Sequence, residues 1–528
     1  MPHVSSFRTT VTRAGSGALS GLLAGSTALA AAELTAALVR PASGPVTVVG
    51  GAVIDRTPAP VKDFAIRTFG ENDKLVLQLG ILVLLTLSAI ALGILALRHR
   101  RAGATGVLLF GIIGGAAALS RPDTAGAADT LPSVAGAVAG AAVLHMLSGK
   151  ANPTGSPKKT EGGAGNWSRR GFLTAAAATA AAAATAGALG RVLSGERGQG
   201  AVASRNALSL PAPATPAPAL ATGAQLKVDG IGPFTTPVRD FYRVDTALTV
   251  PMVDAGTWRL RIHGKGVTRP RTHSFEELLA RPLTERDITL TCVSNEVGGP
   301  YLGTARWLGV PLADLLREAG VRPPSQGGTA DQLVARSVDG MTLGSPVEDV
   351  MDGRDAILAV GMNGEPLPFD HGFPVRMLVP GLYGYVSACK WITDIELTTF
   401  DAYDPYWVKR KWARRAPIKT QSRIDTPKPF ARPAAGPVMV AGVAWAQRRG
   451  ITRVEVRVDD GPWQDADLGA QETTDTWRQW SYRWNAASGG HTLTVRATDG
   501  TGQVQTEQRA RTIPDGASGW HSVFVTVP

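Results

Sequence analysis

The sequence predicts a chain in three parts: an N-terminal α-helical transmembrane bundle, a central α+β domain and a C-terminal all-β sandwich of Ig-like type. Three observations carry this. The first 150 residues are rich in Ala, Leu, Val and Gly and poor in acids. Residues 226–417 mix short helix and strand signals between Gly/Pro-rich loops, as α+β domains do. From 418 to 528, short alternating strands close in regular turns, as in a sandwich. At 528 residues the chain has room for all three, and its net charge of +11 is explained by basic clusters between the apolar runs. Nucleic acid is therefore not expected as a partner.

Within residues 1–150, four apolar runs at 17–39, 75–97, 104–120 and 130–147 each approach the roughly 20 residues needed to cross a bilayer. A fifth, Ala-rich run at 171–190 closes the segment 151–190. Arg8 and Arg13 precede the first run, Arg98, Arg100 and Arg101 separate the second from the third, and Lys150, Lys158, Lys159, Arg169 and Arg170 follow the fourth. With a cytoplasmic N-terminus all these clusters fall inside, so five crossings place everything beyond residue 190 outside a bacterial cell membrane. WSRRGFL (167–173) reads either as a twin-arginine export signal or as a positive-inside pair before an ordinary helix. No small-residue cleavage site stands out, and an uncleaved multi-pass anchor is expected. Glu33, His99 and His145 are isolated in or beside these runs and do not form the facing histidine pair that haem ligation needs. Haem is not predicted, and the runs lack the paired charges and broken repeats of a transporter.

Residues 191–225 carry PAPATPAPALATG, expected to act as an extended spacer. The domain at 226–417 opens with a strand, TWRLRIHG. SFEELLA follows, in which Ser274 and Glu277 form a capping box. DITLTCV (287–293) is a second strand, and GVPLADLLREAG is a helix with Pro311 at its start and Gly320 past its end. In 418–528, Val454, Val456 and Val458 alternate with charged residues before the Asp460-Gly461 turn, and HTLTVRATDG repeats the scheme. Trp445, Trp463, Trp477, Trp480 and Trp484 are candidate core residues.

The chain has two cysteines. Cys292, in TLTCVSNEVGG, ends an apolar strand beside a Gly-Gly turn. That position suits a soft metal ligand or a nucleophile, and equally a buried thiol or a disulfide with Cys389. Cys389, inside the apolar run GYVSACKWI, fits packing.

Several segments together resemble the sulfite oxidase family: TPVRDFYRVDTALTVP, TCVSN, TARWLGVPLADLL, the run MNGEPLPFDHGFPVRMLVPGLYGYVSACKW (362–391), IKTQSRIDTP, and GVAWAQRRGITRVEVRVDDGPW. They occur in the family's order and extend over roughly 226–528. The resemblance implies a molybdopterin-binding domain of sulfite oxidase type and a C-terminal dimerisation domain. It also implies a mononuclear molybdenum–molybdopterin cofactor with Cys292 as the single protein sulfur on the metal. His371 and Arg376 would bind the pterin and its phosphate. Ser387 and Lys390 would contact the cofactor after the Pro-Gly turn, Tyr242 and Arg243 from the first segment, and Asn295 after the ligand strand. A buried dianion suits Arg, whose planar fork supplies charge-assisted donors.

The chemistry implied is two-electron oxygen-atom transfer on a small polar oxo-substrate. Where the family's sulfite oxidases place arginines after the asparagine, Glu296 and Val297 stand here; Glu296 facing an anion at about 5 Å would cost roughly 3 kcal/mol. Trp412 replaces the pocket tyrosine, while Arg449 matches an arginine sent into the sulfite pocket. VKRKWARR (408–415) either borders the same pocket or is a solvated basic stretch. This mixture points to a sulfoxide-like or sulfite-like substrate. With no c-type haem motif and no nucleotide fingerprint, electrons are expected to pass to or from a separate cytochrome or quinone-linked carrier. Membrane lipid and a possible second copy complete the expected partners. The rival reading is a catalytically silent membrane-anchored binding or assembly protein that retains the fold.

Overall fold

The structure, a computed structural model, describes residues 3–58, 61, 64–65, 68–69, 73–121, 124, 126–151 and 169–528. It divides into two compact units, Met1–Gly200 with Ala247–Val250, and Ala201–Thr246 with Pro251–Pro528.

The first unit is helical: α1 (His3–Val39), α2 (Pro45–Arg56), α3 (Asp73–Arg98), α4 (Arg100–Ser120), α5 (Leu131–Ala151) and the start of α6 (Arg169–Asn206). Five of these, all but α2, are long and apolar enough to cross a membrane, at 14–39, 74–98, 100–120, 127–149 and 171–206. Small residues set their packing. A Cβ on Gly21 would lie 1.9 Å from Ala89 O, one on Gly93 2.2 Å from Gly17 O, and one on Gly136 2.5 Å from Ala28 O. Such small-residue seams let backbones approach in a medium that offers no hydrophobic drive between helices. The 12-residue α2 was not legible as a span because about 18 Å of helix is too short to cross.

The expected spacer is not one. Nothing in residues 191–206 breaks a helix until Pro211, so α6 continues to Asn206. The Pro/Ala tract beyond it is an ordered strap on the second unit. Arg205 donates to Pro366 O and Leu367 O, Ala214 N–H to Leu283 O at 2.8 Å, and Ala221 N–H to Glu472 at 2.7 Å, while Ala224 is fully buried. Proline gives up one donor, but its neighbours' amides still find partners.

The α+β domain of the second unit holds two sheets, one antiparallel and one mixed. One runs β3 (Thr284–Thr291), β4 (Leu302–Pro311), β7 (Ile357–Met362), β8 (Glu365–Pro366), with β9 (Arg376–Leu378) also on β7. The other runs β2 (Arg271–Ser274), β1 (Arg259–Gly264), β10 (Ile392–Thr398), β5 (Gln332–Ser337), β6 (Thr342–Pro346), with β1 and β10 parallel. Short helices α7 (Phe275–Leu279), α8 (Leu312–Glu318), α9 (Val347–Met351) and α10 (Gly384–Ser387) fill the connections. The capping box forms as read: Glu277 N–H donates to Ser274 Oγ and Ser274 N–H to the Glu277 carboxylate.

Beyond residue 420 two four-stranded sheets form the sandwich. One is β11 (Gln421–Thr426), β12 (Gly436–Trp445), β16 (Arg478–Ala486), β15 (Asp467–Leu468); the other is β14 (Gln464–Asp465), β13 (Ile451–Val458), β17 (Gly489–Asp499), β18 (His521–Val527). Their core contains Val454, Val456, Trp480, Trp484, Leu493 and Val525. Two of the expected core tryptophans, Trp445 and Trp477, instead join the core of the α+β domain. Trp463 is half-buried, edge-on to Trp520 and under the guanidinium groups of Arg457 and Arg496. Alternation located the strands but not which layer each ring would enter.

Candidate functional site

Strand β3 delivers Cys292 to a turn that is held from several sides. Thr289 N–H donates to Asp475 O, Trp477 N–H donates to Thr289 Oγ1 at 2.8 Å, and Gln447 Nε2 donates to Thr289 O and Thr291 Oγ1. Beyond the strand, Cys292 N–H donates to Tyr301 O at 3.0 Å and Asn295 N–H to Cys292 O at 3.1 Å. Asn295 Oδ1 accepts from Tyr301 N–H at 2.8 Å, and Arg423 reaches Gly299 O at 2.9 Å. Gly298 needs its glycine: φ is +80°, and a Cβ there would lie 2.3 Å from the His521 ring. Cys292 and Cys389 are both buried and free, so the disulfide alternative is not realised.

The opposite wall comes from 241–245 and 371–390. Arg376 is buried, stands 5.4 Å over the Trp307 ring and makes one long hydrogen bond, Nη1 to His371 O at 3.5 Å. Lys390 donates to Asp245 Oδ2 at 3.1 Å and Asp370 O at 2.7 Å. Asp245 also takes Arg243 Nε at 3.1 Å. His371 is packed edge-on against Phe241, with ring centroids 5.6 Å apart.

The electrostatics tie the walls together. Burial pushes the Cys292 thiol up, while the Ser294 amide and hydroxyl and the Lys390 charge pull it back toward thiolate. Burial and the Cys292 charge hold the Tyr242 phenol protonated, against the Arg376 guanidinium on its other side. Burial, aided by Arg376 and Lys390, lowers His371 to about 4, so its imidazole is neutral at physiological pH. Burial lowers Lys390 to about 8 although Asp245 opposes it, and lowers Arg376 as well.

This arrangement fits an anionic cofactor anchored by one thiolate. His371 Nδ1 and Arg376 Nε are buried and find no hydrogen-bond partner among the described residues. A buried guanidinium left this way is costly unless an anion meets it. Among the described residues no cluster of three or more His, Cys, Asp or Glu side chains could hold a metal. A metal at Cys292 would therefore take its other ligands from outside such a side-chain cluster.

Of the residues expected from sequence, the structure brings Tyr242, Cys292, His371, Arg376 and Lys390 together. Asn295 braces the turn. Arg243 is a third exposed and paired with Asp245. The Ser387 hydroxyl turns back onto Leu382 O and Tyr383 O and so closes its own helical turn. Trp412 packs on Tyr385 at 5.4 Å and Trp407 at 5.8 Å. Arg449 differs from expectation. It is held by Asp499 at 2.8 Å, Ile418 O and Thr420, and it borders the site only as a charge felt at Tyr383. Glu296 is exposed. Sequence reading missed Asp245, Trp307 and Phe241. The Arg243-x-Asp245 spacing, which puts both on one side of an extended segment, was the available signal.

Two family models match: an oxidoreductase molybdopterin binding domain over residues 247–407 and a bacterial Ig domain over 421–495. The mitochondrial sulfite oxidase of Mus musculus is 30% identical over 328 residues, covering 53% of this chain and 59% of that protein. The sulfite oxidase of Gallus gallus is 30% identical over 323 residues, covering 52% of this chain and 69% of that protein. The chain thus spans little more than half the length of the mouse relative. Among solved structures, the sulfane dehydrogenase SoxCD from Paracoccus pantotrophus aligns with a TM-score of 0.49 at 26% identity, covering 56% of this chain and 82% of that one.

Proposed function

The chain belongs to the sulfite oxidase family of molybdopterin oxidoreductases, and from that premise we propose a membrane-anchored, extracytoplasmic enzyme for two-electron oxygen-atom transfer on a small polar oxo-substrate. The observation that carries the proposal is the buried, under-bonded Arg376 with His371 and Lys390, facing a turn that presents one thiol. When bound, a molybdenum–molybdopterin cofactor supplies the two-electron redox change.

The chain's own residues do the rest. Arg376 and Lys390 hold the anionic part of the cofactor, and His371 offers Nδ1 as a neutral partner. Cys292 is the single protein sulfur; Ser294 and Lys390 favour its thiolate against the burial that pushes the thiol up. Tyr242 keeps its proton between Cys292 and Arg376. The substrate reading favours a sulfoxide-like group over sulfite. Arg449 is tied to Asp499 and Glu296 brings no cation, so little positive charge is left for a free dianion.

Placement outside the membrane is supported by the distribution of basic residues between the spans. Trp167 and Ser168 of the twin-arginine-like motif lie outside the described residues. Electrons would be exchanged with a separate carrier, and the Ig-like domain offers a homodimer contact. Molybdenum analysis of the detergent-purified protein tests the proposal: near-stoichiometric metal in the wild type, lost or spectroscopically altered in Cys292→Ser, is the expected result. Metal-free protein from cells that load other molybdenum enzymes would support the silent-scaffold reading instead.

A further inference from the structure

The connection that leaves the α+β domain for the sandwich is strongly basic and aromatic. Between residues 400 and 416 it carries five cations, Lys409, Arg410, Lys411, Arg414 and Arg415, against two acids, Asp401 and Asp404. Both acids are drawn to Arg414. Lys409 and Lys411 are exposed; Lys409 stands 4.9 Å over the Tyr403 ring, and Lys411 adopts a left-handed conformation at φ +71°. Arg410 lies 3.5 Å over Tyr406. Among these cations sit Trp407 and Trp412, both half-buried and packed on the domain core.

The strip is not a loose solvated loop. Tyr385 OH donates to Ala413 O at 2.7 Å, and Ala413 N–H donates to Pro514 O at 3.0 Å. Its rings also lead inward. Trp407 meets Trp412 at 5.8 Å and Trp412 meets Tyr385 at 5.4 Å. Tyr385 follows Gly384, whose Cβ would lie 3.8 Å from Thr291 O, the residue before Cys292. Ring-to-ring packing thus runs from a basic surface in to Tyr385, beside which the backbone at Gly384 borders the ligand strand at Thr291. Half-buried Trp beside Arg is the composition of a recognition patch, and the exposed lysines around it add charge for steering.

We propose that residues 403–415 are the docking surface for an acidic, one-electron carrier protein. This rests on the oxidoreductase reading above and names the partner that reading leaves open. The two electrons of each turnover cross this contact in two single-electron steps, each shared with one carrier molecule. They pass inward from reduced carrier when a sulfoxide-like group gives up its oxygen and leaves as the sulfide with water. They pass outward to oxidised carrier in the reverse sense, which the dithionite-reduced site probes. The basic strip attracts the acidic carrier, and the tryptophans take the centre of the contact. Complementary charge acts mainly on the association rate, so the effect is salt-sensitive.

Full-length holoprotein in neutral-lipid nanodiscs, reduced with dithionite and freed of excess, is mixed in stopped flow with an acidic c-type cytochrome, a basic one, or the small uncharged acceptor duroquinone. Reduction of the acidic cytochrome is expected to slow at least about tenfold in Lys409→Glu/Lys411→Glu, and similarly for wild type at high salt. Duroquinone reduction should stay unchanged, and Lys409→Gln/Lys411→Gln should fall between. An unchanged rate with the acidic cytochrome, or an equal loss with the basic one, overturns the docking proposal. A defect seen only in anionic-lipid nanodiscs also overturns it and assigns the strip to lipid headgroups. Failure of the reduced wild type to reduce even duroquinone defeats the oxidoreductase reading, and the docking surface with it.

Discussion

The turn after Cys292 and the wall around Arg376 face the same site, but only the first is finished by the protein. The turn is clamped by Gln447, Trp477, Arg423 and His521 from the sandwich, and Asn295 closes it from within. The wall keeps two buried polar atoms, Arg376 Nε and His371 Nδ1, without partners among the described residues, and burial lowers its lysine to about 8. A metal ligand must stand at a fixed point before the metal arrives, so the turn is preorganised. An anion-binding wall gains selectivity from being incomplete, because an apo protein left with an unmet buried cation is destabilised until the correct anion comes.

Arg376→Gln breaks the contrast most directly. Removing a buried, under-bonded charge should stabilise the apoprotein by about 1–3 kcal/mol. The same change should weaken cofactor retention by roughly a hundredfold, since it deletes a charge-assisted bond worth about 3 kcal/mol. Thermal unfolding of apo and loaded protein, measured side by side, should move in opposite directions. A lower melting temperature for the apo variant would show that the wall is already satisfied without its ligand.

The clamped side should behave the other way. Gly298→Ala adds a Cβ against the His521 ring and forces a left-handed backbone that costs an L-residue about 1–2 kcal/mol. His521 cannot simply swing aside, because its Nδ1 accepts from Ile424 N–H at 3.0 Å. Apo and loaded protein should both lose about 2 kcal/mol or more. Adding His521→Ala should recover the steric part and leave the backbone part. Full additivity of the two changes would mean that the sandwich does not brace the turn.

Lys390 separates the walls by pH. Its folded value of about 8 lies below its ordinary 10.5. The unfolded chain therefore binds more protons between those values, and this group's contribution to apo stability rises across that window. That contribution is complete above 10.5 and lost as pH falls through about 8. Cofactor loading should run oppositely, weakening as the pH rises past about 8 and the cation disappears. Lys390→Arg should extend loading to higher pH, and an unshifted alkaline limb in that variant would place the titration elsewhere.

What could be read from sequence follows the same division. The pattern around Cys292 was legible because the end of an apolar strand and a Gly-Gly turn are local signals. The family segments gave His371, Arg376 and Lys390, and the structure adds why they matter together. Asp245 was missed because its partner, Lys390, lies far along the chain and no periodicity links them. Arg449 was misplaced because its competitor, Asp499, comes from another strand of the sandwich. The Pro/Ala tract misled because composition reports the lack of a core of its own, not whether another domain offers one.

The smallest expected effect is the control on which the comparison depends. Ser274 and Glu277 cap α7, and neither residue touches the turn or the wall. Ser274→Ala removes the hydroxyl that accepts the Glu277 amide, and exposed caps of this kind are worth about 1 kcal/mol. Because water can replace the lost partner at an exposed helix end, the cost should stay near that figure. It should also be the same with and without cofactor, since the cap sees neither charge nor strain from the site. Denaturant midpoints for apo and loaded protein should therefore fall in parallel. If the loss doubled in one state only, α7 would be coupled to the cofactor, and the opposite shifts expected for Arg376→Gln could no longer be assigned to the wall alone.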